Sequence, residues 1–139
     1  MERIVVVDSA EWMKSSQQAH KWAFGEVRAP EMDRIDFVML NVRDDKVLNY
    51  CTVRETDSES VYWQHGGASP DTKGTITSFK SYLRNAEWCL GKYKRITTLV
   101  ENKNKAMLKI AMKVGFIIIG VRTFKGSVML ELLLEREEI

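Results

Sequence analysis

Hydrophobic positions along the chain recur with two different periods, and each change of period marks the boundary of an element. Short stretches that alternate apolar with polar residues, or that are rich in β-branched residues, predict strands. This pattern covers residues 3–8, 34–42, 46–55, 60–65, 95–101, 116–124 and 127–135. Between neighbouring strands, the tripeptide Arg43-Asp44-Asp45 and the pair Lys125-Gly126 predict tight turns.

Apolar residues that recur three or four positions apart predict three helices. These helices are expected over residues 9–24, 72–90 and 104–114, and a loop or a short irregular helix is expected over residues 25–33. Ser9 stands where an N-cap belongs. Gly91 and Gly115 follow the last turns of the second and third helices, where glycine commonly ends a helix.

The predicted order of elements is β–α–loop–β–β–β–loop–α–β–α–β–β. An antiparallel meander that leads into one β–α–β crossover predicts an α/β (α+β) fold. Its central sheet is expected to be mixed and mostly antiparallel, with helices on both faces. Neither an internal repeat nor a linker divides the 139 residues. We therefore expect a single domain over residues 1–139.

Composition narrows the functional class only slightly. A formal net charge of +2 argues against a protein that coats nucleic acid or an acidic membrane surface. No apolar run approaches the roughly 20 residues that span a bilayer, and the N-terminal residues lack the pattern of a signal peptide. The two cysteines, Cys51 and Cys89, fit buried free thiols of a reducing compartment, which predicts a cytoplasmic protein. The two His and two Cys show no metal-ligand spacing, so no metal site is expected.

Positive charge is concentrated in one part of the chain, between residues 92 and 113. Seven basic residues lie there against the single acid Glu101: Lys92, Lys94, Arg95, Lys103, Lys105, Lys109 and Lys113. They fit solvated helix faces and loop edges. They also fit a local field for an anionic ligand such as a nucleotide phosphate, and the pattern leaves both interpretations open.

Residues 100–120 carry a more specific pattern. A strand ends near Glu101, Asn104 opens an amphipathic helix, and Gly115-Phe116 closes it before a second glycine, Gly120. With a strand on each side, this unit resembles the C-terminal helix–strand unit of the GNAT family of acyltransferases. The preceding strand meander is also similar to that family in order and length. The chain is thus identified as resembling a divergent, small, single-domain GNAT protein.

The resemblance implies acetyl-CoA as a co-substrate. The family has a loop of the Arg/Gln-x-x-Gly-x-Gly/Ala type, whose backbone N–H groups hold the pyrophosphate at a helix N-terminus, where the helix dipole favours anions. In this chain Lys73-Gly74 stands for the start of that motif, and Thr75 and Thr77 supply hydroxyls, whereas the later small residues of the motif are missing. The implied cofactor-binding residues are Lys73, Gly74, Thr75 and Asn104.

The resemblance also implies direct acetyl transfer to an amine, which requires a base for the amine proton and often an acid for the departing thiolate. In the family the acid is commonly a Tyr seven positions after the helix Asn, and that position is Ala111 in this chain. The candidate replacements are Tyr62 and His65, on alternate faces of the strand before the loop. Both also fit structural roles, Tyr62 as a packed aromatic residue and His65 as a strand-end residue bonded to backbone.

Two functions from different classes follow. The first is an acetyl-CoA-dependent N-acetyltransferase that acts on a small-molecule or peptide amine. The alternative is a catalytically impaired GNAT-fold binding or assembly protein, suggested by Ala111 and the altered phosphate loop. The apolar run over residues 128–134 further suggests a homodimer, because an exposed strand of this kind requires a partner. No membrane partner is expected, and no strong nucleic-acid signal is present.

Overall fold

The computed structural model describes residues 2–8, 34–70, 72 and 74–137. The helix predicted over residues 9–24, the loop predicted over residues 25–33 and Lys73 lie outside the described residues. The described elements are β1 (Glu2–Asp8), β2 (Phe37–Arg43), β3 (Lys46–Asp57), β4 (Ser60–Ala68), α1 (Ile76–Leu90), β5 (Arg95–Glu101), α2 (Lys105–Val114), β6 (Ile117–Phe124) and β7 (Ser127–Glu135). Neither of these two helices is long and apolar enough to cross a membrane.

The strands form one seven-stranded sheet in the order β1-β2-β3-β4-β5-β7-β6. The pairs β1–β2, β2–β3, β5–β7 and β6–β7 are antiparallel, whereas β4 and β5 are parallel. The parallel pair is the one that α1 connects, as expected for a β–α–β crossover. The predicted mixed, mostly antiparallel sheet is confirmed.

Two tight turns follow the predicted chemistry. Asp44 and Asp45 have φ values of 49° and 64°, and Lys125 and Gly126 have φ values of 49° and 81°. Positive φ at both central residues characterises type I′ turns, whose twist matches that of the flanking strands. These turns set the register of the β2–β3 and β6–β7 hairpins.

The chain divides into two compact units, which are described separately. One contains Met1–Arg54 and Gln64–Ser81, and the other contains Glu55–Trp63 and Tyr82–Ile139. The prediction of a single domain stays a prediction. In the first unit the core includes the fully buried Val38, Met39 and Val53. Asn41 and Asn49 lie opposite each other on β2 and β3, and the Asn41 Nδ2 group donates to the buried Asn49 Oδ1 atom at 2.8 Å, which satisfies both polar groups.

In the second unit the core contains fully buried side chains from five elements: Val61, Cys89, Ile96, Ala111 and Leu132. Trp63 packs edge-on against Tyr82, with ring centroids 5.1 Å apart, and lies 5.7 Å from the ring of Phe116. Burial raises the pKa of the Cys89 thiol to about 12. Trp63 therefore packs in this core.

The predicted boundary between β4 and α1 is wrong by several residues at both ends. β4 continues to Ala68 instead of ending at His65, and α1 begins at Ile76 instead of Thr72. Gly66 lies within β4. A Cβ atom there would lie only 3.2 Å from the Tyr50 carbonyl oxygen, which explains why this strand position is a glycine. The glycine permits a close approach between backbones and does not mark a loop.

Candidate functional site

The loop between β4 and α1 is held against β3 by a small hydrogen-bond network. The Ser69 N–H donates to the Leu48 carbonyl at 2.7 Å, and the Thr72 hydroxyl donates to the same carbonyl at 3.2 Å. The hydroxyls of Ser69 and Thr72 are 3.0 Å apart, and only 6% of Thr72 is exposed. This anchoring fixes the backbone immediately before α1, so that the following residues have a defined position.

The start of α1 follows directly from this anchored loop. The Thr75 N–H and the Thr75 hydroxyl both donate to the Thr72 carbonyl, at 3.1 Å and 2.5 Å, while the Thr75 carbonyl accepts from the Phe79 N–H at 3.3 Å. The helical ladder therefore starts at Thr75, and the N–H groups of the next three residues have no intrahelical acceptor. Gly74 has a φ of 75°, and, apart from its two chain neighbours, no heavy atom of the described residues lies within 4 Å of the position that a Cβ would take. Backbone and hydroxyl groups are thus presented at the positive end of the helix dipole.

A cleft of about 350 Å³ opens beside this helix start. Its lining residues come from the loop, the first turn of α1 and the β2–β3 hairpin: Arg43, Asp44, Lys46, Leu48, Thr72, Thr75 and Thr77. Arg43 also forms an ion pair with Glu2 on β1. Two cationic side chains outnumber the one carboxylate, and Thr77 adds a hydroxyl, whereas the hydroxyl protons of Thr72 and Thr75 are donated to the Leu48 and Thr72 carbonyls. This set fits an anionic group such as a phosphate.

The cleft includes residues that the sequence pattern does not place in a site. Thr75 and Thr77 are predicted near a phosphate, whereas Arg43 and Lys46 are predicted only as parts of a turn and a strand. Arg43 and Lys46 could be assigned to this site only from the order of the strands. β3 starts at the β2–β3 turn and lies beside β4, so this turn lies near the end of β4. The hydrogen bond between Leu48 and Ser69 joins the two segments there.

The predicted catalytic residues Tyr62 and His65 lie on β4, and each is partly buried. The backbone of His65 is fixed to β3 because its N–H donates to the Thr52 hydroxyl at 3.1 Å, and its carbonyl accepts from that hydroxyl at 3.4 Å. Strand alternation directs side chains three positions apart to opposite faces of a sheet. A ligand on one face can therefore use Tyr62 or His65, but not both. Their catalytic roles stay predictions.

Asn104, predicted to bind the cofactor, is the N-cap of α2. Its Oδ1 atom accepts a hydrogen bond from the Met107 N–H at 3.1 Å. At the other end of the helix, Gly115 has a φ of 120°, and its N–H donates to the Ala111 carbonyl at 3.1 Å. Ala111 is fully buried, so the position where the family commonly has tyrosine is a packed position in this chain. The cofactor role of Asn104 stays a prediction.

Neither a family model nor a curated protein matches the chain. Solved structures do. The ribosomal-protein-S18-alanine N-acetyltransferase from Escherichia coli matches with a TM-score of 0.77 and 9% identity, covering 97% of this chain and 94% of that chain. The spermidine/spermine N-acetyltransferase SpeG from Vibrio cholerae matches with a TM-score of 0.75 and 9% identity, covering 97% and 95%.

A third similar structure contains a ligand. YncA from Salmonella typhimurium, a putative acetyltransferase solved with its cofactor acetyl-CoA, matches with a TM-score of 0.69 and 14% identity, covering 100% of this chain and 96% of that chain. Likeness at such low identity establishes the architecture and leaves the activity open. The chain has the fold of the GNAT acetyltransferases, as residues 100–120 predict.

Proposed function

We propose that the protein is an N-acetyltransferase that moves the acetyl group of acetyl-CoA directly to an amine. The fold supports this proposal, since the similar structures from E. coli and V. cholerae are N-acetyltransferases and the one from S. typhimurium holds acetyl-CoA. Fold alone does not carry a function, so the proposal depends on the candidate site. The acceptor in this proposal is a small-molecule or peptide amine.

The observation that carries the proposal is the cleft at the start of α1. Its hydroxyls and cations surround a helix N-terminus, and this combination suits the pyrophosphate of CoA. In the proposed complex the backbone at Gly74 and Lys73 of the predicted motif hold a phosphate, and the Thr75 hydroxyl turns its proton from the Thr72 carbonyl to that phosphate. Asn104, at the start of α2, is the fourth cofactor-binding residue that the family resemblance implies. Bound acetyl-CoA would supply the thioester, and its thiol would be the leaving group.

The reaction requires two proton movements beside the thioester. The amine nitrogen forms a bond with the acetyl carbon and loses a proton to a base, while the carbon–sulfur bond breaks and the thiolate takes up a proton. Ala111 has no ionisable group for the second movement. We propose His65 or Tyr62, according to the face of β4 that the thioester meets, as the residue that exchanges a proton with the reacting groups. Positioning of the two substrates would supply much of the acceleration.

One observation favours a second candidate, a GNAT-fold protein that binds CoA without transferring its acyl group. Ala111 is fully buried, so the usual acid is absent and no polar side chain replaces it at that position. The two candidates agree on CoA binding and differ on turnover. The two cysteines are buried free thiols, which fits a reducing compartment, and we include the cytoplasm in the proposal.

Binding and turnover can be tested separately. Acetyl-CoA at 100 times its Kd should stabilise the protein by about 2.7 kcal/mol in thermal unfolding, and no shift at millimolar acetyl-CoA would reject both candidates. Release of free CoA can then be followed with a thiol reagent over a panel of polyamines and peptides. The protein's own thiols are buried and should contribute little to this signal. Binding without CoA release over the whole panel would favour the second candidate.

The proposed proton-transfer residues have their own test. CoA release should fall in His65→Gln or in Tyr62→Phe, with acetyl-CoA affinity retained, because both substitutions preserve most of the side-chain volume. Unchanged rates in both variants would remove these residues from the proposed site.

A further inference from the structure

The last strand in the sheet order, β6, is unusually exposed for its composition. Seven of its eight residues are exposed, and the eighth, Gly120, is intermediate. Large apolar side chains make up most of this surface, together with one on β7: Ile117 (57% exposed), Ile118 (47%), Ile119 (50%), Val121 (64%), Phe124 (62%) and Val128 (43%). We call these six residues the β6 strip. Contiguous apolar surface of this kind commonly marks an interaction site.

The backbone of β6 has an open side as well. In the strand order β6 has β7 as its single neighbour, so the hydrogen-bonding groups on its other side face no strand of the described sheet. At the other end of the order, β1 carries the charged residues Glu2, Arg3 and Asp8. Val6, at 39%, is the one exposed large apolar residue on that strand. Charges are a common protection of an edge strand, and β6 has less of this protection than β1.

The charge of the strip indicates what kind of partner fits. Arg122 is the one charged residue within β6, and its guanidinium is paired with Glu131 on β7. In the adjoining turn, the Lys125 ammonium lies 5.4 Å from the centre of the Phe124 ring. The surface offers no acidic group within β6 and only one basic group, which is already neutralised. It therefore suits a neutral, apolar strand better than a nucleic acid or an acidic peptide.

We propose that the partner is a second copy of this chain, paired through β6 in antiparallel orientation. A two-fold contact requires a surface that complements itself. With the axis at Val121, the Val121 residues of the two copies lie opposite each other and Gly120 of each copy lies opposite Arg122 of the other, so the two Arg122 side chains do not face each other. The strip meets these conditions because its apolar residues lie on both sides of the strand centre.

The size of the strip agrees with this partner. Six large side chains that are each about half exposed present roughly 500 Å² of apolar surface, near the upper end for a monomer. Two copies that cover each other would bury on the order of 1,000 Å², about the lower limit of a specific interface. The added backbone hydrogen bonds between the two β6 strands would complete an otherwise small contact.

The oligomeric state in solution tests this proposal directly. Light scattering coupled to size exclusion should give the mass of a dimer, and Val121→Lys should give the mass of a monomer with an unchanged circular dichroism spectrum. The matched control is Val6→Lys on β1, which should remain dimeric. A monomeric wild-type protein at high micromolar concentration would overturn the proposal, as would a Val121→Lys variant that stays dimeric. A monomer whose strip still binds an apolar dye would indicate a different partner and would also overturn it.

Cysteine cross-linking tests the strand pairing itself. The native Cys51 and Cys89 are buried and should react little, so a cysteine placed on exposed β6 would be the accessible thiol. Among Ile119→Cys, Val121→Cys and Thr123→Cys, at least one should form a disulfide-linked dimer under mild oxidation, because residues near the two-fold axis approach within disulfide distance. Absence of cross-linking in all three variants would overturn the antiparallel β6 contact. Neither test involves acetyl-CoA, so its outcome is independent of the proposed function.

Discussion

At the start of α2 the Asn104 side chain accepts a hydrogen bond from the Met107 N–H at 3.1 Å, whereas at the start of α1 the Thr75 hydroxyl donates to the preceding Thr72 carbonyl at 2.5 Å. The start of α2 therefore satisfies one of its own free N–H donors through its cap side chain. At the start of α1 the Thr75 hydroxyl proton is directed away from the helix, the first-turn N–H groups have no intrahelical acceptor, and Thr75 and Thr77 line a cleft. The resemblance to the GNAT family implies cofactor-binding residues at both helix starts.

The difference separates a structural helix start from one that is suited to a ligand. Both helix N-termini carry the same dipole, so the dipole alone cannot distinguish them. The surroundings can, because the cleft at α1 adds the hydroxyl of Thr77 and the cations Arg43 and Lys46. We therefore expect substitutions at α1 to affect ligand binding and substitutions at α2 to affect mainly stability.

The largest effect is expected at Gly74. Gly74→Asp would introduce a side chain at a φ of 75° and a negative charge beside the proposed phosphate position. We expect acetyl-CoA affinity to fall by about 100-fold or more, equivalent to about 2.7 kcal/mol, measured by isothermal titration calorimetry.

Gly126→Asp is a matched control, because Gly126 has a φ of 81° and equally open surroundings in the β6–β7 turn. It should cost similar backbone strain and leave acetyl-CoA affinity unchanged. Equal affinity in both variants would mean that the phosphate does not bind at the start of α1.

The second largest effect is expected at Ala111 in α2. Ala111→Tyr would restore the residue type that the family commonly has there, but it would place a ring at a fully buried position. Overpacking of this kind should lower the free energy of unfolding by about 1–3 kcal/mol, without raising the rate of CoA release. Chemical denaturation measures the first quantity.

Met112→Tyr, at the next residue of the same helix, is the control, because Met112 is 42% exposed. It should change stability by much less. A stable Ala111→Tyr variant with faster CoA release would show that α2 takes part in the chemistry after all.

The contrast between the two helix starts also separates what the sequence predicts from what it does not. The bounds of α2 are predicted to within one residue, because Asn104 and Gly115 are local signals that lie at its ends. At α1, Thr72 has the composition of a cap but bonds to Ser69 and Leu48 instead, so the helix begins at Ile76. Tertiary contacts overrode the local preference there.

The cleft is less predictable still, because its two sides are far apart in the chain. Arg43 and Lys46 precede Thr72 by more than 20 residues, and their proximity depends on β3 lying beside β4. Hydrophobic periodicity predicts the strands themselves but does not give the contacts between the ends of distant segments.

A smaller effect is expected at the α2 cap. Asn104→Ala should lower the free energy of unfolding by about 1 kcal/mol, since the Met107 N–H loses its acceptor. Asn104→Asp should retain stability because a carboxylate caps equally well. Thermal unfolding distinguishes the two variants. In calorimetry, acetyl-CoA affinity should fall in Asn104→Ala by a smaller factor than in Gly74→Asp, and an equal loss would mean that Asn104 contributes as much to binding as the start of α1.

The smallest effect is expected at Arg43, which lines the cleft while paired with Glu2. Arg43→Ala should weaken acetyl-CoA binding only a few-fold, because an exposed charge is screened by solvent and contributes at most about 1 kcal/mol. The loss should shrink as salt is added, since screening weakens the same attraction in the wild-type protein. The control is Arg122→Ala, which should leave affinity unchanged. Arg122 is also an exposed arginine that is paired across strands, with Glu131. A salt-independent loss, or an equal loss in both variants, would mean that Arg43 acts through the β1–β2 pairing and not through the ligand.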